Sequence, residues 1–423
     1  MHKKKIWIMN HYATNSFYNK GGRHYWFAKN LINKGYEVVI FCANTRHSTN
    51  DVIEIPRKKK YKVISSGGIP HVFVKTIPTT GNGIDRIKNM VLFYLNIFKV
   101  TDDYVKLYGK PDIILASSVH PLTMVAGLKI AEKLNIPCVC EIRDLWPEAI
   151  FAFEKLKERS LIGKALIAGE HWIYKKADAL IFTKEGDTDY IKEKKWDLDS
   201  GGDIDLEKCH YINNGVDLDS FYKLMTEQTL EDEDLNSDKF KVVYAGSIRP
   251  VNDVDKIIEA ASLLKENKDI QFLIYGDGNQ KASLENKTIQ KNLTNVKFKG
   301  NVEKKYIPYI LSRSSVNILN YSQTQYNWSR GNSSNKLFEY MASGKPVIST
   351  VKMGYSIIEK YQCGYELSDA SGKDLAKAIL EMKEISCESY NVLGQNASDG
   401  ASDFDFKVLS ERLEKVLINA LKF

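Results

Sequence analysis

The chain is poor in cysteine and has no CxxC pair. Its six cysteines, Cys42, Cys138, Cys140, Cys209, Cys363 and Cys387, sit mainly inside apolar runs. Cys138 and Cys140 alternate along a predicted strand, so reduced, buried thiols of a cytosolic protein are expected. A strong charge excess is also missing: 60 basic against 53 acidic side chains leave +7, which argues against a nucleic-acid partner and suits a protein near an anionic surface. Long hydrophobic runs are lacking too. After Met1-His2-Lys3-Lys4-Lys5 only Ile6 to Met9 precede Asn10 and His11, too short for a signal segment or a membrane span, which places the protein in the cytoplasm.

What is present is bulk and alternation. With 423 residues, 43% of them apolar, the chain can build two cores, and chains beyond about 250–300 residues tend to divide. Residues 5–9 and 37–42 read as buried strands, with Gly21-Gly22-Arg23 opening a helix between them. Strands at 112–117, 137–142, 178–183 and 209–212 follow, alternating with helices at 121–134, 160–176 and 185–194. Such alternation predicts a parallel sheet covered on both faces, hence an α/β fold. The spacing predicts a first domain over 1–222, an acid-rich linker over 223–239, and a second domain of the same kind over 240–403. A final amphipathic helix over 404–423 is placed back on the first domain. In residues 84–108 apolar side chains alternate with Arg86, Lys88, Lys99 and Lys106, which describes either a helix packed on the sheet or a patch touching the inner leaflet.

Open parallel sheets bind ligands beyond the carboxyl ends of their strands, so with two sheets the natural site is the cleft between them. The stretch 334–350, SNKLFEYMASGKPVIST, stands out there. If Ser334 or Asn335 opens the helix, its free amides and dipole suit an anionic phosphate. Glu339, four residues past Asn335, can accept both hydrogen bonds of a vicinal diol such as a ribose, or can be an ordinary first-turn acid. After the first strand of the second domain come Gly246-Ser247-Ile248-Arg249-Pro250, where Arg249 offers a forked phosphate donor and Lys336 a second cation. His120 before Pro121, and His11 with Tyr12, are loop residues or acceptor contacts; Tyr321, Tyr326 and Trp328 are expected to stack on a base or sugar or to pack between the domains. Asp-x-Asp pairs at Asp203/Asp205, Asp217/Asp219, Asp253/Asp255 and Asp403/Asp405 lie in different settings and read as surface acids, so no metal site is assigned.

These stretches, with INNGVD at 212–217, YAGSIRPVNDVDKIIEAASLL at 244–264 and SSVHPLTMVAGLKIAEKLNIPCVCEIRDLWPEAI from Ser117, together resemble glycosyltransferase family 4, retaining enzymes of the GT-B fold. The likeness is to the bacterial capsule and O-antigen branch that includes L-fucosamine transferases. It implies two facing Rossmann-like domains with the site in the cleft. It also implies that amides around Asn335, Lys336 and Leu337 hold the donor diphosphate, that Glu339 holds the ribose, and that Gly21 and Gly22 approach donor phosphate and acceptor. Three departures stand out: the first glutamate of the family pair falls on Gly331, its usual arginine and lysine on Ser247 and Asn252, and its histidine on Arg143. Arg249 with Lys336 is then expected to meet the phosphate charge, and Arg143-Asp144, near Glu141 and Glu148, the sugar. The implied reaction transfers an N-acetylated amino or deoxyamino sugar from UDP to a polyprenyl diphosphate-linked saccharide at the inner membrane surface. It needs no protein nucleophile or cofactor beyond the nucleotide-sugar. The rival expectations are a nucleotide-sugar epimerase of the same fold and a non-catalytic two-domain sugar-binding protein.

Overall fold

Runs of β-branched and aromatic residues bounded by glycine and polar turns form strands, and the central ones are buried along most of their length. The computed structural model describes residues 3–46, 49, 51–79, 83–151, 156–323, 328–368 and 371–422. The chain divides into two units, Met1–Asn213 with Phe406–Phe423, and Asn214–Asp405.

The first unit opens with β1 (Lys5–Met9), α1 (Thr14–Asn19), α2 (Arg23–Asn33), β2 (Glu37–Ala43), β3 (Tyr61–Ser66) and β4 (Ile69–Val74). It continues through α3 (Ile84–Tyr108), β5 (Ile113–Ser117), α4 (Pro121–Leu134), β6 (Cys138–Ile142) and α5 (Glu148–Phe151). It closes with α6 (Leu161–Lys176), β7 (Ala179–Phe182), α7 (Asp187–Glu193) and β8 (Cys209–Tyr211). Its eight strands lie in the order β3-β4-β2-β1-β5-β6-β7-β8, parallel except for β3, which runs antiparallel to β4. That hairpin is an addition to the expected parallel sheet; Gly67 and Gly68, at φ 58° and 80°, supply the left-handed two-residue turn it requires. Beneath α4, a Cβ on Gly127 would lie 2.5 Å from the Ala116 Cβ, so only glycine lets this helix approach β5 so closely.

The second unit begins with α8 (Leu218–Glu227), β9 (Phe240–Ala245), α9 (Asp255–Leu263), β10 (Ile270–Tyr275), α10 (Lys281–Gln290) and β11 (Val296–Gly300). It proceeds through α11 (Ile307–Ser312), β12 (Val316–Leu319), α12 (Asn335–Ala342), β13 (Val347–Ser349) and α13 (Ile357–Tyr361). Last come β14 (Gly364–Glu366), α14 (Gly372–Glu384) and α15 (Cys387–Ser402), and the first unit then takes up α16 (Phe406–Ala420). Six parallel strands lie in the order β11-β10-β9-β12-β13-β14.

Both sheets are covered on two faces. In the first unit, α3, α4 and α6 bury Phe93, Ile97, Met124 and Ile173 against Trp7, Met9 and Phe41. Its other face takes Phe27 of α2 and Phe406, Leu409 and Leu413 of α16. Asn30 donates to the Phe406 carbonyl at 3.1 Å, and Lys34 and Tyr36 both reach Glu414, at 2.5 and 2.9 Å. The acid-rich run expected to be a linker is instead part of the second unit. Its first residues lie in α8, and Lys299 of β11 bonds both Asp232 and Asp234 at 2.6 Å. Tyr275 and Gln271 add hydrogen bonds to Asp232 and Asp234, at 2.9 and 2.6 Å, so these two acids are held within the fold.

Candidate functional site

In the second unit, β9 ends at Ala245, and α12 is tied to that end by Tyr340, whose hydroxyl donates to the Ala245 carbonyl at 3.1 Å and faces its N–H at 3.2 Å. Leu337, Phe338, Tyr340 and Met341 form the buried side of α12, which leaves the half-buried Lys336 and Glu339 beside the core. Ser334 takes the position before the helix but does not cap it. Its hydroxyl is 2.5 Å from the Tyr321 hydroxyl, and its N–H goes to Asn332 Oδ1 at 2.7 Å. The first-turn N–H groups of Asn335 and Lys336 consequently make no hydrogen bond among the described residues, while that of Leu337 reaches the Ser334 carbonyl at 3.2 Å. Two amides and the positive end of the helix dipole are thus open to an anion.

Lys336 lies over the turn that follows β9. A Cβ on Gly246 would sit 3.1 Å from both Lys336 Cδ and Nζ, so the missing side chain makes room for the lysine. The ammonium is 4.4 Å from the Tyr321 ring centre and 5.0 Å from that of Tyr244, and it donates to Asn252 Oδ1 at 3.3 Å. No carboxylate stands within ion-pair distance of it among the described residues. Burial without a counter-charge brings its pKa down to about 7. Asn252 also donates to the Ser247 carbonyl and hydroxyl, at 2.8 and 2.7 Å, and so fixes the loop carrying Ser247.

Among the other residues singled out in this unit, Glu339 has its carboxylate 3.6 Å from Lys304. Arg249 is exposed and makes no ion pair among the described residues. Gly331 adopts φ +97°, a conformation that disfavours the acid the family pattern carries there. Tyr321 and Trp328 pack 5.1 Å apart within the unit's core, and Tyr326 lies outside the described residues. Tyr244, Asn252 and Tyr321 complete the lysine's surroundings, and no sequence motif points to Tyr244. The asparagine that stands at 252 where the family pattern has lysine is the one sequence signal for Asn252.

In the first unit, Gly22 at φ +90° precedes α2 and Gly21 is half-buried beside it. Below them, at the ends of the central strands, Glu141 is wholly buried. It accepts from Arg23 Nε at 2.6 Å and from Ser117 Oγ at 2.7 Å, and lies 3.0 Å from His24 Nε2. Burial alone would raise its pKa, but the Arg23 guanidinium and His24 hold it well below the usual carboxylate range. Burial in turn lowers the His24 pKa, leaving a neutral imidazole beside the Arg23–Glu141 pair at pH 7. Glu141, expected among the acceptor contacts, is therefore a buried support: its oxygens are taken up by the protein. Arg23 continues to the carbonyls of Ile212 and Asn213, at 2.8 and 2.5 Å.

His11 and His120 are likewise buried rather than presented to a ligand. His11 Nδ1 and His120 Nε2 are 2.7 Å apart, and burial lowers the His120 pKa to about 3. Arg143 is half-buried with an Nε that makes no hydrogen bond, and Asp144 is exposed. Of the residues of this unit expected to meet the sugar, the donor phosphate or the acceptor, Gly21, Gly22, Arg143 and Asp144 remain accessible. Several acids of the Asp-x-Asp pairs are engaged locally: Asp217 and Asp205 accept from backbone N–H groups, Asp255 bonds Lys287, and Asp203 pairs with His171 and Lys175. Among the described residues no group of three metal-ligating side chains comes together.

Two α/β sheets with an anion-ready helix start are the layout of the GT-B fold, and both halves of the chain match glycosyltransferase family models. Residues 25–220 match Glycosyltransferase Family 4 and residues 225–399 match Glycosyl transferases group 1. The protein thus carries two glycosyltransferase domains. It is 27% identical over 215 residues to TuaH of Bacillus subtilis, named as a teichuronic acid biosynthesis glycosyltransferase, a match covering 50% of each chain. The chain spans about half the length of that curated relative. Sucrose-phosphate synthase from Thermosynechococcus elongatus shares the fold with a TM-score of 0.70 at 15% identity, over 99% of both chains. Anabaena HepE in complex with UDP gives 0.66 at 13% identity, over 98% of this chain and 100% of that one. The fucosamine-transferase type is not among these matches.

Proposed function

We propose that this protein is a retaining glycosyltransferase that moves a sugar, of the N-acetylated amino or deoxyamino kind, from UDP to a lipid-linked saccharide at the inner face of the membrane. The observation that carries the reading is Lys336: a half-buried ammonium with no carboxylate partner among the described residues, beside two unbonded helix amides. A protein rarely leaves such a cation uncompensated unless a ligand supplies the counter-charge. In this reading the diphosphate accepts from the Asn335 and Lys336 amides and from Lys336 Nζ, and Arg249, exposed on the β9 loop, adds a second cation. Glu339, three residues further along α12, releases Lys304 to grip the ribose hydroxyls.

As the glycosidic bond breaks, negative charge grows on the diphosphate. Lys336 and the helix start stabilise that charge more in the transition state than in the ground state, which accelerates the step. The departing phosphate is the group placed to take the acceptor proton on the same face of the sugar. Gly21 and Gly22 are assigned to the donor phosphate and acceptor, Arg143 and Asp144 to the sugar, and Arg23, His24 and Glu141 hold their loops from beneath. The UDP complex of HepE and the teichuronic acid role in the name of TuaH support a UDP donor and a surface-polysaccharide product.

Titration calorimetry tests the reading. UDP is expected to bind with micromolar affinity, more tightly than GDP, and to lose at least tenfold in Lys336→Ala, Glu339→Ala and Arg249→Ala. Equal binding of UDP by the wild type and all three variants removes the site.

A further inference from the structure

We infer that the first turns of α6 and the outer stripe of α3 form a docking face for a bilayer with anionic headgroups; this rests on the reading above that the acceptor is lipid-linked. A helix that covers a sheet normally turns its large apolar residues inward. The start of α6 does the reverse. Leu161, Ile162 and Leu166 are 87%, 63% and 37% exposed and Ala165 and Ala168 are exposed beside them; apart from Gly163, tucked under the preceding turn, the buried positions begin at Glu170 and continue with Ile173 and Tyr174. Cations are interleaved with these apolar side chains. Lys157, Arg159 and Lys164 are exposed and none has an ion-pair partner among the described residues, while the neighbouring acid, Glu158, is occupied by Lys194 at 2.5 Å.

The α3 helix carries two apolar stripes. Met90, Phe93, Ile97 and Val100 face the core, whereas Ile84, Ile87, Val91 and Leu95 are 71%, 61%, 40% and 59% exposed. The two helices share a face of the sheet, with α4 packed between them. Each follows its strand, so the exposed halves of both lie toward the strand ends that carry Asn10, Ser117 and Glu141. Packed helices stand about 8–10 Å apart, which puts α3 and α6 roughly 20 Å from each other, close enough to rest on one plane. Basic and apolar side chains so mixed are the pattern of an interfacial helix, its apolar face sunk into the headgroup boundary and its lysine stems reaching up to the phosphates.

Charge decides between a bilayer and a second copy of this chain. A two-fold pairing would set the same unpaired cations against themselves, whereas anionic headgroups neutralise them.

The test is flotation of the whole chain with vesicles of phosphatidylcholine alone or mixed with phosphatidylglycerol, alongside UDP calorimetry on the same samples. The wild type is expected to float with the anionic vesicles only. Leu161→Glu/Ile162→Glu/Leu166→Glu is expected to lower the bound fraction about tenfold or more. Lys157→Gln/Arg159→Gln/Lys164→Gln is expected to lower it about fivefold per cation removed. Both variants should keep wild-type UDP affinity and melting temperature. Failure of the wild type to float with anionic vesicles, or flotation unchanged in both variants, overturns the inference. So does sedimentation showing a wild-type dimer that the glutamate variant splits. Flotation as expected in a chain that binds no UDP would reject the donor site and leave this face standing.

Discussion

The Lys336 ammonium lies 3.3 Å from the amide oxygen of Asn252, a neutral partner where a carboxylate would ordinarily neutralise it. Its pKa of about 7, lowered by burial, lies more than three units below that of the lysine in an unfolded chain. A bound diphosphate favours the charged form, so UDP binding should take up a proton. Above pH 7 the free lysine is partly neutral, and uptake should grow toward one proton by pH 8–9. Calorimetry in buffers of different ionisation enthalpy measures this directly; Lys336→Met should abolish the uptake.

The same lysine opposes folding at neutral pH. Between its folded pKa of about 7 and the unfolded value the unfolded chain binds more protons, so this group's contribution to stability rises as pH rises through that window. Lys336→Met should therefore raise the melting temperature at pH 7, with a smaller gain at pH 9, while weakening UDP. Scanning calorimetry at the two pH values separates this outcome from a simple loss of fold.

Asn252 joins Ser247 to Lys336, and its removal should loosen both. Asn252→Ala is expected to weaken UDP binding by about five- to tenfold, the worth of one hydrogen bond that positions a charge. Asn252→Asp is expected to weaken it further, because the new carboxylate competes with the phosphate for Lys336.

In the first unit Glu170 is buried, accepts from Tyr174 and Tyr190 at 2.8 and 2.7 Å, and has its pKa pushed up by burial to about 8. An acid whose folded pKa exceeds its unfolded value stabilises at low pH and loses that contribution as pH rises toward the folded value. Glu170→Gln should therefore raise the melting temperature little at pH 5 and most at pH 8 and above. A gain independent of pH would contradict the assigned protonation.

Much of the fold was legible because strands and helices alternate with different periods. Helix 121–134 was placed to the residue, since Pro121 can open a helix but not continue one and Asn135 closes it at φ +49°. The β3–β4 hairpin escaped because the exposed side chains of β3 carry little apolar pattern, although Gly67-Gly68 was a usable turn signal. The acidic run reads as a linker because Lys299, which ties Asp232 and Asp234 into the fold, lies more than 60 residues away. At the site, the opening of α12 was legible from the polar residues before its apolar run. The burial of Glu141, His11 and His120 was not, because strand-end polar residues look alike in sequence whether they meet a ligand or one another. Nor was the lysine's cage, assembled from three separate segments that only folding brings together.

A crystal structure with UDP bound tests the central claim most directly. The diphosphate is predicted on the Asn335 and Lys336 amides with Lys336 Nζ against it, and the ribose hydroxyls on Glu339. UDP found away from α12, or bound there with Glu339 still on Lys304 and Lys336 turned from the phosphates, would contradict the account.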